Sequence, residues 1–295
     1  MPIIHATPEN DPPAKYPLME VDGCRYPYFC DEEVIRNMPE MDIRDDDVML
    51  CGYMRSGTHW CFEVMNMLLR KCDDTIPYKK EDFHLELTSS EELACRPSPR
   101  VLNGHMHFER VPKAALEKKL KIVYVLRDPR DVACSWYQLM KKYFLSVSKV
   151  EICPFADWMK LFLNGEFEWG TWFDHVTNWE KAMANPNHSS SILVVRFEDL
   201  VTQPLREIER IDEFLNTKTD ETFRRLVAEK CSLENMKRDK HSVTDKLEGK
   251  SVHYNQGKIG SWKDCFSAEL SEYFKRVYDE KMKDSKFYNM YRQQV

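Results

Sequence analysis

Five consecutive apolar residues, Ile122–Leu126 (IVYVL), run without alternation into the polar pair Arg127–Asp128. Such a run is what a strand buried on both faces requires, and it points to a parallel sheet covered by helices. The continuation, PRDVACSWYQLMKKYF, opens as a helix should, with Asp128 placed as N-cap and Pro129 in the first turn. The same strand-then-helix order recurs. Asp47–Tyr53 (DVMLCGY) precedes THWCFEVMNMLLRK, whose Trp60, Val64, Met67 and Leu68 fall at helical spacing. Arg100–His105 (RVLNGH) reads as a short strand, Ser191–Leu200 (SILVVRFEDL) as another, and Pro204–Leu215 as a helix. Strands alternating with helices predict an α/β fold with a central parallel β-sheet flanked by crossover helices. Ligands of such sheets bind beyond the carboxyl ends of the strands, and Tyr53, His105, Asp128 and Phe197 all lie near such ends.

A chain of 295 residues with 42% hydrophobic and 12% aromatic content can bury a sizeable core. Residues 1–46, Pro-rich at the start and acidic, read as an N-terminal arm and acceptor-side segment; residues 47–295 read as the α/β body, one structural domain overall. The net charge of −6 argues against a general nucleic-acid binder but leaves room for a local basic pocket. No run approaches the roughly 18 apolar residues of a membrane span. The segment MPIIHATPENDPPAKYP has neither the basic start nor the apolar core of a secretory signal. The ten cysteines are scattered without a CxxC pair, so no zinc spacing is visible and those in apolar runs read as reduced, buried thiols. The expectation is a soluble protein in a reducing, cytoplasmic setting, with no metal, no membrane and no nucleic-acid partner.

The segment Leu50–Leu69, LCGYMRSGTHWCFEVMNMLL, places a turn at Ser56–Gly57 between strand and helix. Gly52 and Gly57 have the spacing that begins a phosphate-binding loop, G-x-x-x-x-G-K-[ST]. Thr58 and His59 stand where the lysine and the metal-binding hydroxyl belong, which disfavours triphosphate hydrolysis. What remains is a helix N-terminus whose N–H groups and dipole favour a smaller anion. Ser56, Thr58 and His59 add hydrogen-bonding groups, and Arg55 adds a planar cationic fork.

YMRSGTHW resembles Y-P-K-S-G-T-[TH]-W, the 5′-phosphosulfate loop of the cytosolic sulfotransferases. Four further blocks resemble that family in the same order: RVLNGHMHFERVP its catalytic strand, VYVLRDPRDVACSWY (Val123–Tyr137) its 3′-phosphate segment, NGEFEWGTWFDHVTNW its G-x-x-x-[YW]-G-[SP]-W-[YF]-x-H-V-x-x-W, and NQGKIGSWKDCFS its R-K-G-x-x-G-x-W-K. The blocks themselves run from Tyr53 to Ser267, and the resemblance is taken to cover roughly residues 20–290. The resemblance implies a single α/β domain with a P-loop-like 5′-phosphosulfate-binding loop. It also implies 3′-phosphoadenosine 5′-phosphosulfate (PAPS) as sulfonate donor, adenosine 3′,5′-bisphosphate (PAP) as product, a small-molecule acceptor and no metal requirement.

Position by position, the resemblance makes Arg55 the counterpart of the catalytic lysine and His105 the counterpart of the general base. Ser56, Gly57, Thr58, His59 and Trp60 match the 5′-phosphate loop, with Trp60 against the adenine. Arg127 and Ser135 match the 3′-phosphate ligands, and Ser135 joins Arg55 and His105 among the expected catalytic groups. An imidazole of pKa about 6.5 suits removal of a proton from a hydroxyl acceptor near neutral pH. His107 shares a face with His105 by strand alternation and is expected to line the acceptor pocket, with Phe83, Phe108, Tyr143 and Asn103. Tyr28, Phe29 and Trp169 are further aromatics available to that pocket, while His175 reads as structural.

Several positions depart from the family pattern. Arg55 replaces lysine, Asn103 replaces a lysine that helps hold the transferring sulfonate, and Phe197 replaces a tyrosine near the adenine. Cys231, Ser232 and Leu233 stand for T-S-F, another adenine segment. Asn255 and Gln256 stand for the Arg-Lys that grips the 3′-phosphate, ahead of Gly257; Lys258 is the nearest cation left to take over that charge. The homodimer motif K-x-x-x-T-V-x-x-x-E keeps only its ends, Lys263 and Glu272. These losses define the alternative reading, a non-catalytic nucleotide- or small-molecule-binding protein on the same fold.

Overall fold

The computed structural model describes residues 3–8, 15–74, 76–147, 151–239, 246–247, 250–251 and 257–292. Three short strands, β1 (Ile4–Ala6), β2 (Tyr16–Val21) and β3 (Cys24–Pro27), form an antiparallel sheet in that order. Tyr16, Leu18, Val21 and Tyr26 from it, with Ile35 and Met38 after it, join the same buried cluster as the tryptophans Trp136, Trp158, Trp172 and Trp179. The segment read as an arm is therefore part of the core. Its alternating apolar positions were hidden among prolines and acids.

Four parallel strands carry the rest. β4 (Val48–Gly52), β5 (Val101–Gly104), β6 (Ile122–Leu126) and β7 (Ile192–Arg196) pair in the order β5-β4-β6-β7. Every residue of β4, β5 and β6 is buried. Met49, Cys51, Tyr124 and Leu126 pack into the tryptophan-rich cluster on one face. Leu50, Val123 and Val125 pack on the other against Phe62, Leu68, Ile208 and Ile211. The unbroken apolar runs follow from this two-sided cover.

A buried ion pair joins the starts of the two edge-side strands: Arg100 Nε donates to Asp47 Oδ1 (2.7 Å), and its Nη1 donates to the Leu93 carbonyl (2.8 Å). Removing one partner of such a buried pair costs about 3–5 kcal/mol, because the other charge is stranded. In register, Cys51 faces Gly104 on one side and Tyr124 on the other. The carboxyl ends of the strands therefore line up at one edge.

Strand boundaries differ from expectation at one informative place. β7 stops at Arg196, and Phe197 opens the helix Phe197–Thr202, with Glu198 and Asp199 in its first turn. Acidic residues there complement the helix dipole, so the sequence FEDL starts a helix rather than extending the strand. The degraded homodimer motif also has a local role: Ser267 caps the helix Ala268–Met282, accepting from the Leu270 N–H (3.2 Å).

Candidate active site

Between Gly52 and the helix Thr58–Arg70 the chain reverses in five residues. Arg55 (φ 65°) and Gly57 (φ 99°) both adopt left-handed backbone. At Gly57 a Cβ would stand 2.5 Å from Phe197 Cδ2, so both the backbone and the packed ring require glycine. The turn ends by presenting the N-terminus of a 13-residue helix, which favours an anion. Ser56 Oγ and Trp60 Nε1 are buried beside it without a hydrogen-bond partner.

The second helix start, Pro129–Val147, lies beyond β6. Asp128 Oδ1 accepts from the Arg130 N–H (2.9 Å), as an N-cap does. Arg127, just before it, donates from Nη1 to the Arg55 carbonyl (2.9 Å) and lays its guanidinium 4.2 Å over the Phe197 ring. Its Nε has no partner. Two turns into the helix, Ser135 Oγ accepts from Arg55 Nε (3.1 Å). The two helix starts are thus tied together by Arg55 and Arg127. Burial, and then Arg127, pushes the Arg55 guanidinium down to about 10, and burial lowers Arg127 as well. Two clustered, partly desolvated cations that each remain protonated near neutrality suit a multiply charged anion.

His105 follows β5 and is held at three points. Its N–H donates to Glu86 Oε2 (2.7 Å), its carbonyl accepts from His175 Nε2 (3.0 Å), and its Nδ1 lies 2.7 Å from the Gly52 carbonyl. A carbonyl only accepts, so Nδ1 carries the proton and Nε2 is left as a basic lone pair. The Trp169 ring stands edge-on, 5.0 Å away. Burial first, then Lys80 and Arg55, lowers the His105 pKa to about 3, against the hydrogen bond to Gly52, which raises it. An anion neutralising Lys80 and Arg55 would raise it toward the range of a working base.

One cavity of about 1340 Å³ collects these groups. Arg55, Gly57, Thr58, His59, Trp60, His105, Arg127, Ser135, Phe197, Ser232, Leu233, Gly257 and Lys258 line it, and so do Pro27, Phe29, His84, Leu87, Leu139 and Trp169.

Residues 45–286 match the model of the sulfotransferase domain. The chain belongs to the sulfotransferase family. It is similar to the 3-alpha-hydroxysteroid sulfotransferase of Cavia porcellus, 28% identical over 274 residues that make up 88% of this chain and 93% of the relative. It is also similar to sulfotransferase 1B1 of Mus musculus, 31% identical over 256 residues, 80% and 82% of the two chains. The fold is like that of mouse sulfotransferase SULT7A1 complexed with PAP, with a TM-score of 0.78 at 24% identity over 94% of this chain and 99% of that one. Retinol dehydratase in complex with androsterone and PAP has a TM-score of 0.73 at 21% identity, over 93% and 91%.

Within this sulfotransferase, several expected residues lie away from the cavity. Cys231 is buried behind it, its thiol 3.8 Å from Met67 Sδ. Phe83 packs into the core against Phe62 and Tyr78, with ring centroids at 5.9 and 5.8 Å. Phe108 packs edge-on against Trp179 (5.3 Å). His107 Nε2 donates to the Trp169 carbonyl (3.2 Å), and Tyr143 is exposed with its hydroxyl 3.5 Å from that of Tyr28. Asn103 is fully buried, its Nδ2 donating to the Lys80 carbonyl (2.9 Å). None of these five is among the residues lining the cavity: Phe83 and Phe108 are held by core rings, His107 and Asn103 are tied to backbone carbonyls, and Tyr143 faces outward on its helix. Lys258 is at the cavity rim, but its ammonium pairs with Asp264 (3.1 Å) while its carbonyl accepts from Arg127 Nη2 (3.4 Å). Asn255 and Gln256 lie outside the described residues.

Four residues that the sequence reading did not single out are in place here. Glu86 holds the His105 N–H and accepts from Trp169 Nε1 (2.5 Å). Burial pushes its carboxyl up to about 7, against those two hydrogen bonds. Asp131 accepts from the N–H groups of Gly260 (2.7 Å) and Trp262 (3.0 Å) and so anchors the turn that follows Gly257 and Lys258. His84 stands 5.1 Å from His105, ring to ring, and Lys80 lines the cavity beside them. Nothing in PYKKEDFHLEL distinguishes a buried lysine from its solvated neighbour, so no sequence signal marks Lys80. Among the described residues no group of three or more His, Cys, Asp or Glu could hold a metal, and no helix is long and apolar enough to cross a membrane.

Proposed function

We propose that this chain transfers the sulfonate of PAPS to a hydroxyl or amine of a small aromatic or alicyclic acceptor, with His105 as general base. PAPS-dependent sulfonate transfer is the activity of the family to which the chain belongs. The residues present fit the donor. Ser56 Oγ, Trp60 Nε1 and Arg127 Nε are buried donors without protein partners, and they surround two cations at two helix starts. Ser56, Gly57, Thr58, His59 and Trp60 would hold the 5′-phosphosulfate and the base. Arg127 and Ser135 would hold the 3′-phosphate, with Phe197, Ser232, Leu233, Gly257 and Lys258 around them. When bound, the donor supplies a sulfonate whose S–O bond to phosphate breaks as the bond to the acceptor oxygen forms. His105 Nε2 takes the acceptor proton at that point. Arg55, which stays protonated, stabilises charge growing on the sulfonate and leaving oxygens; fixed donors of this kind supply the largest share of such catalysis.

The observation that carries this reading is the 2.7 Å contact of His105 Nδ1 with the Gly52 carbonyl, which takes the Nδ1 proton and leaves Nε2 as the basic nitrogen of a residue lining the same cavity as Arg55 and Arg127. The acceptor class draws on the apolar far end, where Phe29, Leu87, Leu139 and Trp169 give flat and aliphatic surface. A similar protein is a 3-alpha-hydroxysteroid sulfotransferase, and a protein of like fold is complexed with androsterone. Incubation with labelled PAPS and a panel of phenols, hydroxysteroids and arylamines tests the proposal. Labelled sulfate ester or sulfamate on at least one apolar acceptor is expected, and no transfer across the panel together with no binding of PAP would refute it.

A further inference from the structure

Lys80 begins the short 3-10 turn Lys80–Phe83, which lies along β5. The turn is tied to the strand by two contacts of Asn103. Its side-chain Nδ2 donates to the Lys80 carbonyl (2.9 Å), and its carbonyl accepts from the Leu85 N–H (2.9 Å). Lys80 is only 5% exposed, yet its side chain lines the cavity alongside Arg55, His84 and His105. Among the described residues its ammonium makes no ion pair and no hydrogen bond. A desolvated ammonium without a partner is costly. Burial lowers its pKa, while the more distant carboxylates Glu81 and Glu86 raise it, and its charge in turn depresses both His84 and His105. The cation is therefore held in the cavity that His105 also lines, with its charge felt by the base and without a counter-charge in contact. Position 103 itself carries a neutral amide, and that amide is spent on the Lys80 backbone.

We infer that Lys80 is a catalytic residue of this chain, the second cation that, with Arg55, contacts the non-bridging oxygens of the reacting sulfonate. It reaches the site from the turn beside β5, and Asn103 is the positioning residue that fixes that turn. This rests on the sulfonate transfer proposed above. The 3′-phosphate end, with Arg127, is served by other groups. Lys80 therefore distinguishes donor from product: PAPS carries the sulfonate and PAP does not.

The test compares Lys80→Met and Lys80→Arg with the parent in the full chain. Calorimetry with PAP, and with PAPS in the absence of acceptor, is followed by turnover on the best acceptor. In Lys80→Met, kcat is expected to fall on the order of 10²-fold, the loss typical of one removed charge-stabilising donor. PAPS affinity should fall about 10- to 100-fold while PAP affinity holds within about twofold, as expected when one charged hydrogen bond specific to the sulfonate is lost. Lys80→Arg should recover most of kcat, which a merely space-filling role would not allow. Parent kcat and parent PAPS affinity in Lys80→Met would overturn the proposal. So would equal losses for PAPS and PAP, which would assign Lys80 to the nucleotide cradle or to the fold. Lys80→Gln, closer in polarity, serves if the Met variant unfolds early, with the same outcomes. A parent chain that binds PAP and PAPS equally and transfers nothing would instead refute the sulfotransfer reading itself.

Discussion

The two ends of the cavity that we assign, one to the nucleotide and one to the acceptor, are built in opposite ways. The nucleotide end is made from contiguous sequence: Arg55 to Trp60 come from one turn, and Arg127 to Ser135 from one strand end and its helix. The acceptor end is made from fragments, with Phe29 after β3, His84 and Leu87 after a 3-10 turn, Leu139 on a helix and Trp169 in a turn before another. A phosphate needs N–H donors and cations at fixed spacing, which one turn can supply. An apolar acceptor needs only surface, which any nearby segment can supply. The first demand writes a motif and the second does not. His105 sits where the ends meet, held by Gly52 from the loop and by Glu86 from the far side.

The largest expected effect lies at that junction. His105→Gln removes the basic lone pair and keeps much of the bulk, so kcat should fall about 10²- to 10⁴-fold. PAP affinity should stay at the parent value, since His105 is not among the groups that fit the phosphates. Single-turnover kinetics beside calorimetry separates the two. Loss of PAP binding in step with kcat would mean that the ends are one coupled unit.

Next comes Glu86, beneath the junction. Its carboxyl is fully buried and pushed up to about 7 from 4.5. The folded chain therefore holds this proton more tightly than the unfolded chain does. The stability it contributes is complete below about 4.5, is lost as pH rises through that window, and is gone above about 7. The gap amounts to about 3 kcal/mol, at about 1.4 kcal/mol per pH unit. The buried His84, His105 and His175, whose pKa values burial lowers, add an opposite slope up to about 6.5. The Glu86 share is therefore read as a difference: from pH 5 to 7.5 the denaturation midpoint of Glu86→Gln should gain on that of the parent as pH rises. Glu168, also pushed up by burial to about 7, keeps its own share of the slope in both. Equal slopes would remove Glu86 from this account.

What could be read in the sequence follows the same division. The unbroken run Ile122–Leu126 gave a doubly covered parallel strand, because burial on both faces leaves no room for polar alternation. The loop Arg55–Trp60 with Arg127 and Ser135 was legible because local backbone geometry and charge demand particular residue types at particular spacing. Phe83 and Phe108 were misplaced because an aromatic ring fits a core as well as a pocket, and only tertiary contacts with Phe62 and Trp179 decide. Lys80 and Glu86 were invisible for a related reason: in a charged stretch, nothing local says which side chain the fold will bury. The N-terminal strands were missed because prolines and acids interrupt their apolar positions, and the burial of Tyr16 comes from partners more than a hundred residues away.

At the nucleotide end, Arg127→Ala should weaken PAP binding by about 1.5–3 kcal/mol, the usual worth of a hydrogen bond to a charged group. With Lys258 paired to Asp264, Arg127 would be the principal cation for the proposed 3′-phosphate site among the described residues. The loss should therefore be large for PAP and small for adenosine 5′-phosphate, which lacks that group. Equal losses for the two ligands would place Arg127 elsewhere on the nucleotide. Acceptor KM, measured at saturating PAPS, should be unchanged, which sharpens the contrast between the ends.

The smallest effect belongs to the acceptor end. Phe29 is 66% exposed, lines the cavity and packs edge-on against Tyr28 at 5.6 Å. A ring left so exposed contributes little to folding, so Phe29→Ala should keep the parent's denaturation midpoint to within about 0.5 kcal/mol, as surface substitutions do. An apolar acceptor that covers the ring would lose part of its buried area. At about 25 cal/mol per Å², some 40 Å² of lost cover is worth about 1 kcal/mol, or roughly a fivefold rise in acceptor KM. The groups proposed for proton transfer and for the anion, His105 and Arg55, are untouched, so kcat and PAP affinity should stay at parent values. Small polar acceptors that never reach Phe29 should show no change in KM. A fall in kcat for every acceptor, large and small, would mean that Phe29 shapes the site around the base, and the independence of the two ends would fail at its weakest point.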